Sequence, residues 1–219
     1  MSRLVEEINK FKDEFASQVP TEVKEVMLAE TKKLEDTKIS EKALKVGDIA
    51  KDFTLPNALN NEVSLYDAID SNDFVVIDFY RGQWCPYCNM ELHALQGINE
   101  DLHRLNATLI AVSPQSPDAS LSTAQKHELA FEVLSDLHNK IAKEYGLVFS
   151  LAQELRPLYE GFGIDIPGLN DEDSYELPMP ATYVVNKNRE IVYSFIDEDY
   201  TKRAEPQDIL KVIRKNSNY

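Results

Sequence analysis

The sequence predicts an α/β domain with a largely parallel sheet at its centre, preceded by a helical arm. Two near-continuous apolar runs, Phe74–Tyr80 and Ala107–Val112, are rich in β-branched and aromatic residues and read as strands buried on both faces. Stretches of helical period alternate with them, the pattern of βαβ units. The first stretch of the chain is helical in period throughout and carries no strand signal.

Leu4, Ile8, Phe11, Phe15 and Val19 recur at helical spacing with charged residues between them, so an amphipathic helix opens the chain. Pro20-Thr21 breaks it, and Glu22 to about Asp36 resumes with Val23, Val26, Met27 and Leu34. Residues 1–43 are therefore assigned to the arm and 44–219 to the domain. The apolar face of the arm has two uses, packing on the body or a contact in a homodimer.

Asp52–Pro56 and Glu62–Leu65 flank the turn-rich Asn57–Asn61 as a hairpin. The strand Phe74–Tyr80 leads to a helix from Pro86 to about Leu105, with Leu92, Leu95, Ile98, Leu102 and Leu105 on one stripe, and then to the strand Ala107–Val112. Beyond Pro114 and Pro117 the pattern predicts a helix at Asp118–Glu128, a strand at Phe131–Leu134, a helix at Asn139–Tyr145 and a helical stretch at Leu151–Phe162. Gly163–Asp173 reads as a loop from its Gly, Pro, Asn and Asp content. Its acids lack the Asp-x-Asp-x-Asp-Gly pattern that wraps Ca²⁺ and read as solvated. Ala181–Val185 and Glu190–Ile196 form a second hairpin, and Glu205–Lys215 closes as a helix, with no internal repeat.

With 43% hydrophobic and 28% charged residues, the chain has the composition of a globular protein and not of a disordered one. Its 38 Asp and Glu against 23 Lys and Arg give a net charge of −15, which argues against nucleic acid and anionic membranes as partners. No apolar run approaches the roughly 20 residues of a membrane span, and the opening residues lack the apolar core of a secretory signal. A cytoplasmic location is expected.

The chain has only two cysteines, Cys85 and Cys88, both in the segment Trp84-Cys85-Pro86-Tyr87-Cys88. Such a close pair suits a reducing compartment, where it is more often catalytic, redox-sensing or metal-binding than a staple. A closed zinc site would need two of His93, His103, His127 and His138, which have no paired spacing, so no metal and no other cofactor is expected. Inert packing is the remaining alternative to redox chemistry. Pro86 suits the first helical position, which makes Cys85 the cap and Cys88 a residue of the first turn. A thiolate at Cys85 would accept from free first-turn amides and gain from the helix dipole, and its neighbour could close a disulfide after oxidation.

The segment Phe79-Tyr80-Arg81-Gly82-Gln83-Trp84-Cys85-Pro86-Tyr87-Cys88 resembles the active-site segment of peroxiredoxin-like proteins of the alkyl hydroperoxide reductase and thiol-specific antioxidant family. Lys45–Asp48 with Asp52–Pro56 looks like that family's opening hairpin, and Pro178–Val185 like its late strand, so the likeness covers all but the arm. It implies a thioredoxin-like, peroxiredoxin-type three-layer fold with a central mixed sheet, in which Pro180 would be cis and face the cysteines. It also implies a peroxidase that reduces hydrogen peroxide or organic hydroperoxides through a Cys85–Cys88 disulfide, recycled by a thioredoxin-like or other dithiol reductant. Arg81 and Arg203 would stabilise thiolate and peroxide oxygens, and Trp84, Tyr87 and Pro180 would line the substrate or partner surface.

Typical members carry Pro-x-x-x-Thr-x-x-Cys, where this chain has Arg81, Cys85 and Cys88 at the Pro, Thr and Cys positions. The helix cap favours Cys85 as the attacking sulfur, and the family register favours Cys88. Two other functions share the motif: exchange with protein disulfides, as in thioredoxin, and a redox sensor whose arm binds a partner.

Overall fold

Side chains of a strand point alternately to opposite faces, and the apolar run at 74–79 fills both of them. The computed structural model describes residues 3–217; residues 1 and 2, assigned above to the arm, and 218 and 219, assigned to the domain, lie outside them. The elements are α1 (Leu4–Gln18), α2 (Thr21–Thr37), β1 (Thr54–Pro56), β2 (Glu62–Ser64), α3 (Leu65–Ser71), β3 (Phe74–Phe79), α4 (Pro86–Gln96), α5 (Asn99–Arg104), β4 (Ala107–Ser113), α6 (Pro117–Lys126), β5 (Glu132–Ser135), α7 (Lys140–Glu144), β6 (Val148–Ser150), α8 (Arg156–Gly161), α9 (Ile166–Asn170), β7 (Glu176–Pro178), β8 (Ala181–Asn186), β9 (Ile191–Ile196) and α10 (Pro206–Asn216).

The main sheet has the order β5-β4-β3-β8-β9. β3, β4 and β5 run parallel, as the two apolar runs predict, while β8 and β9 are antiparallel neighbours and make the sheet mixed. Val75, Ile77 and Phe79 pack on one face with Leu65 and Ile69 of α3 and Ala142 of α7. Phe74 and Val76 pack on the other with Leu95, Leu102 and the α10 residues Ile209, Leu210 and Ile213. Helices thus cover both faces, which gives the three layers.

The arm packs on its own body. Leu4 and Ile8 of α1 are buried with Cys85, Cys88 and Leu92 of α4, while Val26 and Met27 of α2 lie against a smaller cluster around Leu151, Tyr159 and Leu177.

Four local expectations differ from the structure. The predicted helix from Pro86 to Leu105 is two, α4 and α5, because the chain leaves helical geometry after Gly97, a residue of low helix propensity: Ile98 takes φ −107° and its N–H bonds to the Leu95 carbonyl three residues back at 3.1 Å. Of Leu151–Phe162 only α8 is helical, since Leu151 N donates to Tyr175 O at 2.9 Å, extending the β6–β7 ladder. The predicted loop at 163–173 contains α9, capped by an Asp165 carboxylate that accepts from Gly168 N at 3.1 Å, with Pro167 in its first turn. Pro180 is trans, because the described residues contain no cis peptide bond; it joins β7 to β8, and trans is the lower-energy form of an X–Pro bond.

Candidate active site

β3 ends against the start of α4, and the short link Tyr80–Trp84 delivers Cys85 to the helix cap. Tyr80 N continues the ladder to Val112 O at 2.9 Å. Gly82 then takes φ +149°, where an added Cβ would lie 2.5 Å from Trp84 Nε1 and 2.6 Å from Gln115 Oε1, so only glycine fits this bend. Pro86 occupies the first helical turn, and Cys85 Sγ accepts a hydrogen bond from Cys88 N at 3.4 Å. Both cysteines are free thiols buried almost completely.

Two arginines flank the pair. Arg81 is 1% exposed and makes no carboxylate ion pair among the described residues. Its guanidinium donates to Tyr159 Oη at 2.8 Å and lies 4.8 Å from the centre of the Trp84 ring and 4.6 Å from that of Tyr200. Arg203 donates from Nη2 to Cys88 Sγ at 3.3 Å, while its Nε lies 2.6 Å from Glu91 Oε2. Beneath them, Thr182 Oγ1 on β8 lies 3.1 Å from Asp78 Oδ1 on β3 and 3.4 Å from Glu91 Oε1, so two carboxyls, a hydroxyl and a guanidinium share one buried polar cluster.

These placements split the two thiols. Burial pushes Cys85 up, but the Cys88 side-chain hydrogen bond, the Arg81 and Arg203 charges and the Cys88 N–H outweigh it and bring the thiol down to about 6. Cys88 moves the other way, raised by burial, by the hydrogen bond it shares with Cys85 and by the charge of that thiolate. Cys85 is thus the anion and Cys88 the proton-bearing partner. Burial likewise lifts Asp78, to about 7, and holds Glu91 well above the usual carboxylate range.

A cavity of about 500 Å³ opens on Cys85. Arg81, Trp84 and Tyr87 line it with Tyr159, and Phe11, Phe15 and Met27 of the arm close it from above. Among the described residues no group of three or more His, Cys, Asp or Glu side chains is placed to hold a metal ion. No helix of these residues is long and apolar enough to cross a membrane.

A family profile described as AhpC/TSA matches residues 46–194, which is more than half of the chain. The chain belongs to the AhpC/TSA family. Among curated relatives, a putative peroxiredoxin bcp of Buchnera aphidicola is 29% identical over 104 residues, covering 48% of this chain and 65% of that protein. Another of Haemophilus influenzae is 32% identical over 104 residues, covering 48% and 66%. The chain therefore spans just under two thirds of the length of these relatives. The fold is that of peroxidoxin BcpB from Mycobacterium tuberculosis, with a TM-score of 0.64 at 18% identity over 80% of this chain and 99% of that one. It is also that of Xanthomonas campestris peroxiredoxin Q, with a TM-score of 0.60 at 14% identity over 78% and 98%.

Within this AhpC/TSA framework, Arg81, Trp84, Cys85 and Tyr87 meet at the cavity, and Arg203 sits behind it on Cys88. Pro180 is not brought there: it is buried between β7 and β8 and does not line the cavity. Sequence reasoning missed Asp78, Glu91 and Thr182, as well as Tyr159 and Tyr200. Asp78 had a signal, a carboxylate within an apolar strand, and so did Glu91, one helical turn beyond Cys88. The two tyrosines had none, since only tertiary packing brings them to Arg81.

Proposed function

We propose that this chain is a thiol peroxidase acting on hydroperoxides, with Cys85 as the attacking and Cys88 as the resolving sulfur. The observation that carries the reading is Arg81, a buried guanidinium without a carboxylate partner, beside a thiol held down at about 6 in the wall of a cavity. A cation so placed favours an anion next to it, and the thiolate is the nucleophile.

In the first step Cys85 thiolate attacks the terminal peroxide oxygen. An S–O bond forms and the O–O bond breaks; the sulfur is oxidised to a sulfenic acid, the peroxide is reduced, and the leaving alkoxide or hydroxide takes up a proton. In the second step Cys88 loses its proton and attacks Cys85, forming the S–S bond and releasing water. Asp78, lifted by burial to about 7 and so partly ionised near neutral pH, is suited to take that proton, which then passes to the leaving hydroxide to make the water. A thioredoxin-like or other small dithiol then reduces the disulfide, and a cytoplasmic location would supply such donors.

The test is stopped-flow oxidation of the fully reduced protein by peroxide, followed through Trp84, the single tryptophan. Fast, saturable quenching with one peroxide consumed per disulfide formed is expected. In Cys88→Ser a sulfenic acid should be trapped at Cys85, and in Cys85→Ser none should form rapidly. Sulfenate at Cys88 alone would reverse the two roles, and oxidation no faster than that of an ordinary free thiol, with insulin disulfides reduced instead, would replace peroxidase by disulfide exchange.

A further inference from the structure

The arm covers the active-site cysteines. Cys85 is 1% exposed and Cys88 is fully buried, and Phe11, Phe15 and Met27 close the cavity from which Cys85 is reached. A hydroperoxide is small enough to enter that space, but the reduction that follows it is carried out by a dithiol. The donor thiolate attacks Cys85 Sγ, a mixed disulfide forms and Cys88 leaves as a thiolate; the donor's second thiol then breaks the mixed disulfide. The donor ends as a disulfide, and two electrons and two protons have passed to Cys85 and Cys88. A thiol mounted on the surface of a protein has no path to a sulfur so deeply covered, so a protein donor requires the arm to move.

Of the two arm helices, α2 is the one held loosely. None of its 17 residues is buried, and Leu28 is exposed, whereas α1 buries Leu4 and Ile8. Besides the cavity at Cys85, its side chains roof two more, one of about 350 Å³ beside Phe15 and Tyr200 and one of about 190 Å³ over Leu151 and Leu155. Atoms that face a cavity lack packing partners on that side, and an element with few buried contacts opens at low cost.

One segment joins the arm to the redox centre. Residues 198–205 hold the arm at three points: Glu198 Oε1 accepts from Ser40 N at 2.9 Å, Thr201 Oγ1 from Lys12 Nζ at 3.0 Å, and the Glu205 carboxylate from Leu4 N at 3.3 Å and Val5 N at 2.9 Å. The same segment touches both cations of the site. Arg81 lies 4.6 Å from the centre of the Tyr200 ring, and Arg203 donates to Cys88 Sγ at 3.3 Å and to the Tyr200 carbonyl. In the reduced protein both guanidinium groups act on the Cys85 thiolate, and the disulfide has no thiolate. Arg203 then keeps Glu91 at 2.6 Å, but Arg81 is left as a buried cation with no anion, a state relieved by any opening that admits water. Arg81 lines two of the three cavities that α2 roofs, so lifting this helix is such an opening.

We propose that α2 is a redox-gated lid: it rests over the reduced cysteines and lifts when the Cys85–Cys88 disulfide forms, which admits a protein dithiol to Cys85. The proposal rests on the disulfide of the peroxidase reading and goes beyond it by giving the arm control of the reductive half of the cycle.

The experiment is amide hydrogen exchange of the full chain, fully reduced or converted to the disulfide with diamide, so that it does not depend on peroxide turnover. Amides of α2 should exchange at least about tenfold faster in the disulfide form, while those of β3 and β4 keep their rates. In Arg81→Met, which has no buried cation to relieve, both forms should exchange as slowly at α2 as the unmodified reduced protein. Thioredoxin should then reduce the Arg81→Met disulfide at least about tenfold more slowly than the unmodified one, each rate taken relative to that of dithiothreitol, which is small enough to need less opening. Equal α2 exchange in the two forms of the unmodified protein would overturn the proposal whatever the variant does, and would leave the peroxidase reading standing. A ratio that Arg81→Met leaves intact would overturn it as well. Faster α2 exchange in the diamide-made disulfide, together with peroxide oxidation no faster than that of a free thiol, would support the lid and remove the peroxidase.

Discussion

Arg81 is where the chemistry of this site is concentrated in one side chain. Burying a guanidinium is costly unless an anion meets it, and here the anion within reach is the Cys85 thiolate. Replacing Arg81 by Met should therefore raise the Cys85 thiol by about 1–3 pH units, the usual effect of removing a close opposite charge, and slow peroxide oxidation at neutral pH about tenfold or more. Because only the thiolate reacts, the unmodified protein's oxidation rate should climb as pH rises through about 6 and level off above it, while the Arg81→Met profile climbs at higher pH. Thiolate absorbance and stopped-flow rates against pH test both, and a profile unmoved by the substitution would remove Arg81 from the mechanism. The cysteine pair and its place at a helix cap were legible in sequence because a C-x-x-C motif after a buried strand is a local pattern. The cage around Arg81 was not, since Tyr159 and Tyr200 reach it from distant segments with no shared spacing.

Strands and helices set these side chains in register. β3 and β8 pair so that Asp78 lies opposite Thr182, which places a carboxyl in the dry interior beneath the cysteines. Burial raises Asp78, with Arg203 opposing and Cys88 adding, to about 7. A carboxyl raised above its unfolded value of about 3.9 favours folding at acid pH and loses that contribution as pH rises from about 4 through 7. Asp78→Asn should therefore melt above the unmodified protein at pH 8, by several degrees at about 2–4 °C per kcal/mol, with the gap closing toward pH 4. A constant gap across that range would show that Asp78 does not titrate in this window. The arm poses a different question. Its helices were legible from apolar spacing, but where its face packs was not, because periodicity names a buried face without naming its partner. Leu4 and Ile8 pack against α4 beside both cysteines. Ile8→Ala removes roughly 2 kcal/mol or more of buried contact, so local opening of α1 should become easier and iodoacetamide should label reduced Cys85 at least about tenfold faster. Unchanged labelling would mean that α1 does not control access to Cys85.

At the scale of the whole molecule, the parallel centre of the sheet was legible because apolar runs and helical periods alternate in the order that builds it, whereas the mixed, three-layer arrangement followed only from the family resemblance. The small β6–β7 sheet and α9 were not legible, since their pairing and capping depend on contacts between segments too short to carry a pattern. The same molecule couples its redox state to its stability. In the reduced protein Cys85 is depressed to about 6, against about 8.5 for a free thiol, so the thiolate favours folding. For an acid lowered on folding, that contribution is complete above the unfolded value, shrinks as pH falls toward 6 and is gone below it. The Cys85–Cys88 disulfide has no thiolate and lacks this term, while any entropic gain from so short a loop is nearly independent of pH. The melting temperature of the reduced form minus that of the oxidised form should therefore fall as pH drops from about 8.5 to below 6. Calorimetry of both forms across that range measures it directly. The same thiolate stabilisation makes the disulfide more oxidising at neutral pH, so a thioredoxin-like dithiol should reduce it readily. A reduced-minus-oxidised difference that is flat with pH would mean that Cys85 carries its proton at neutral pH, and attack by its thiolate would then lose its basis.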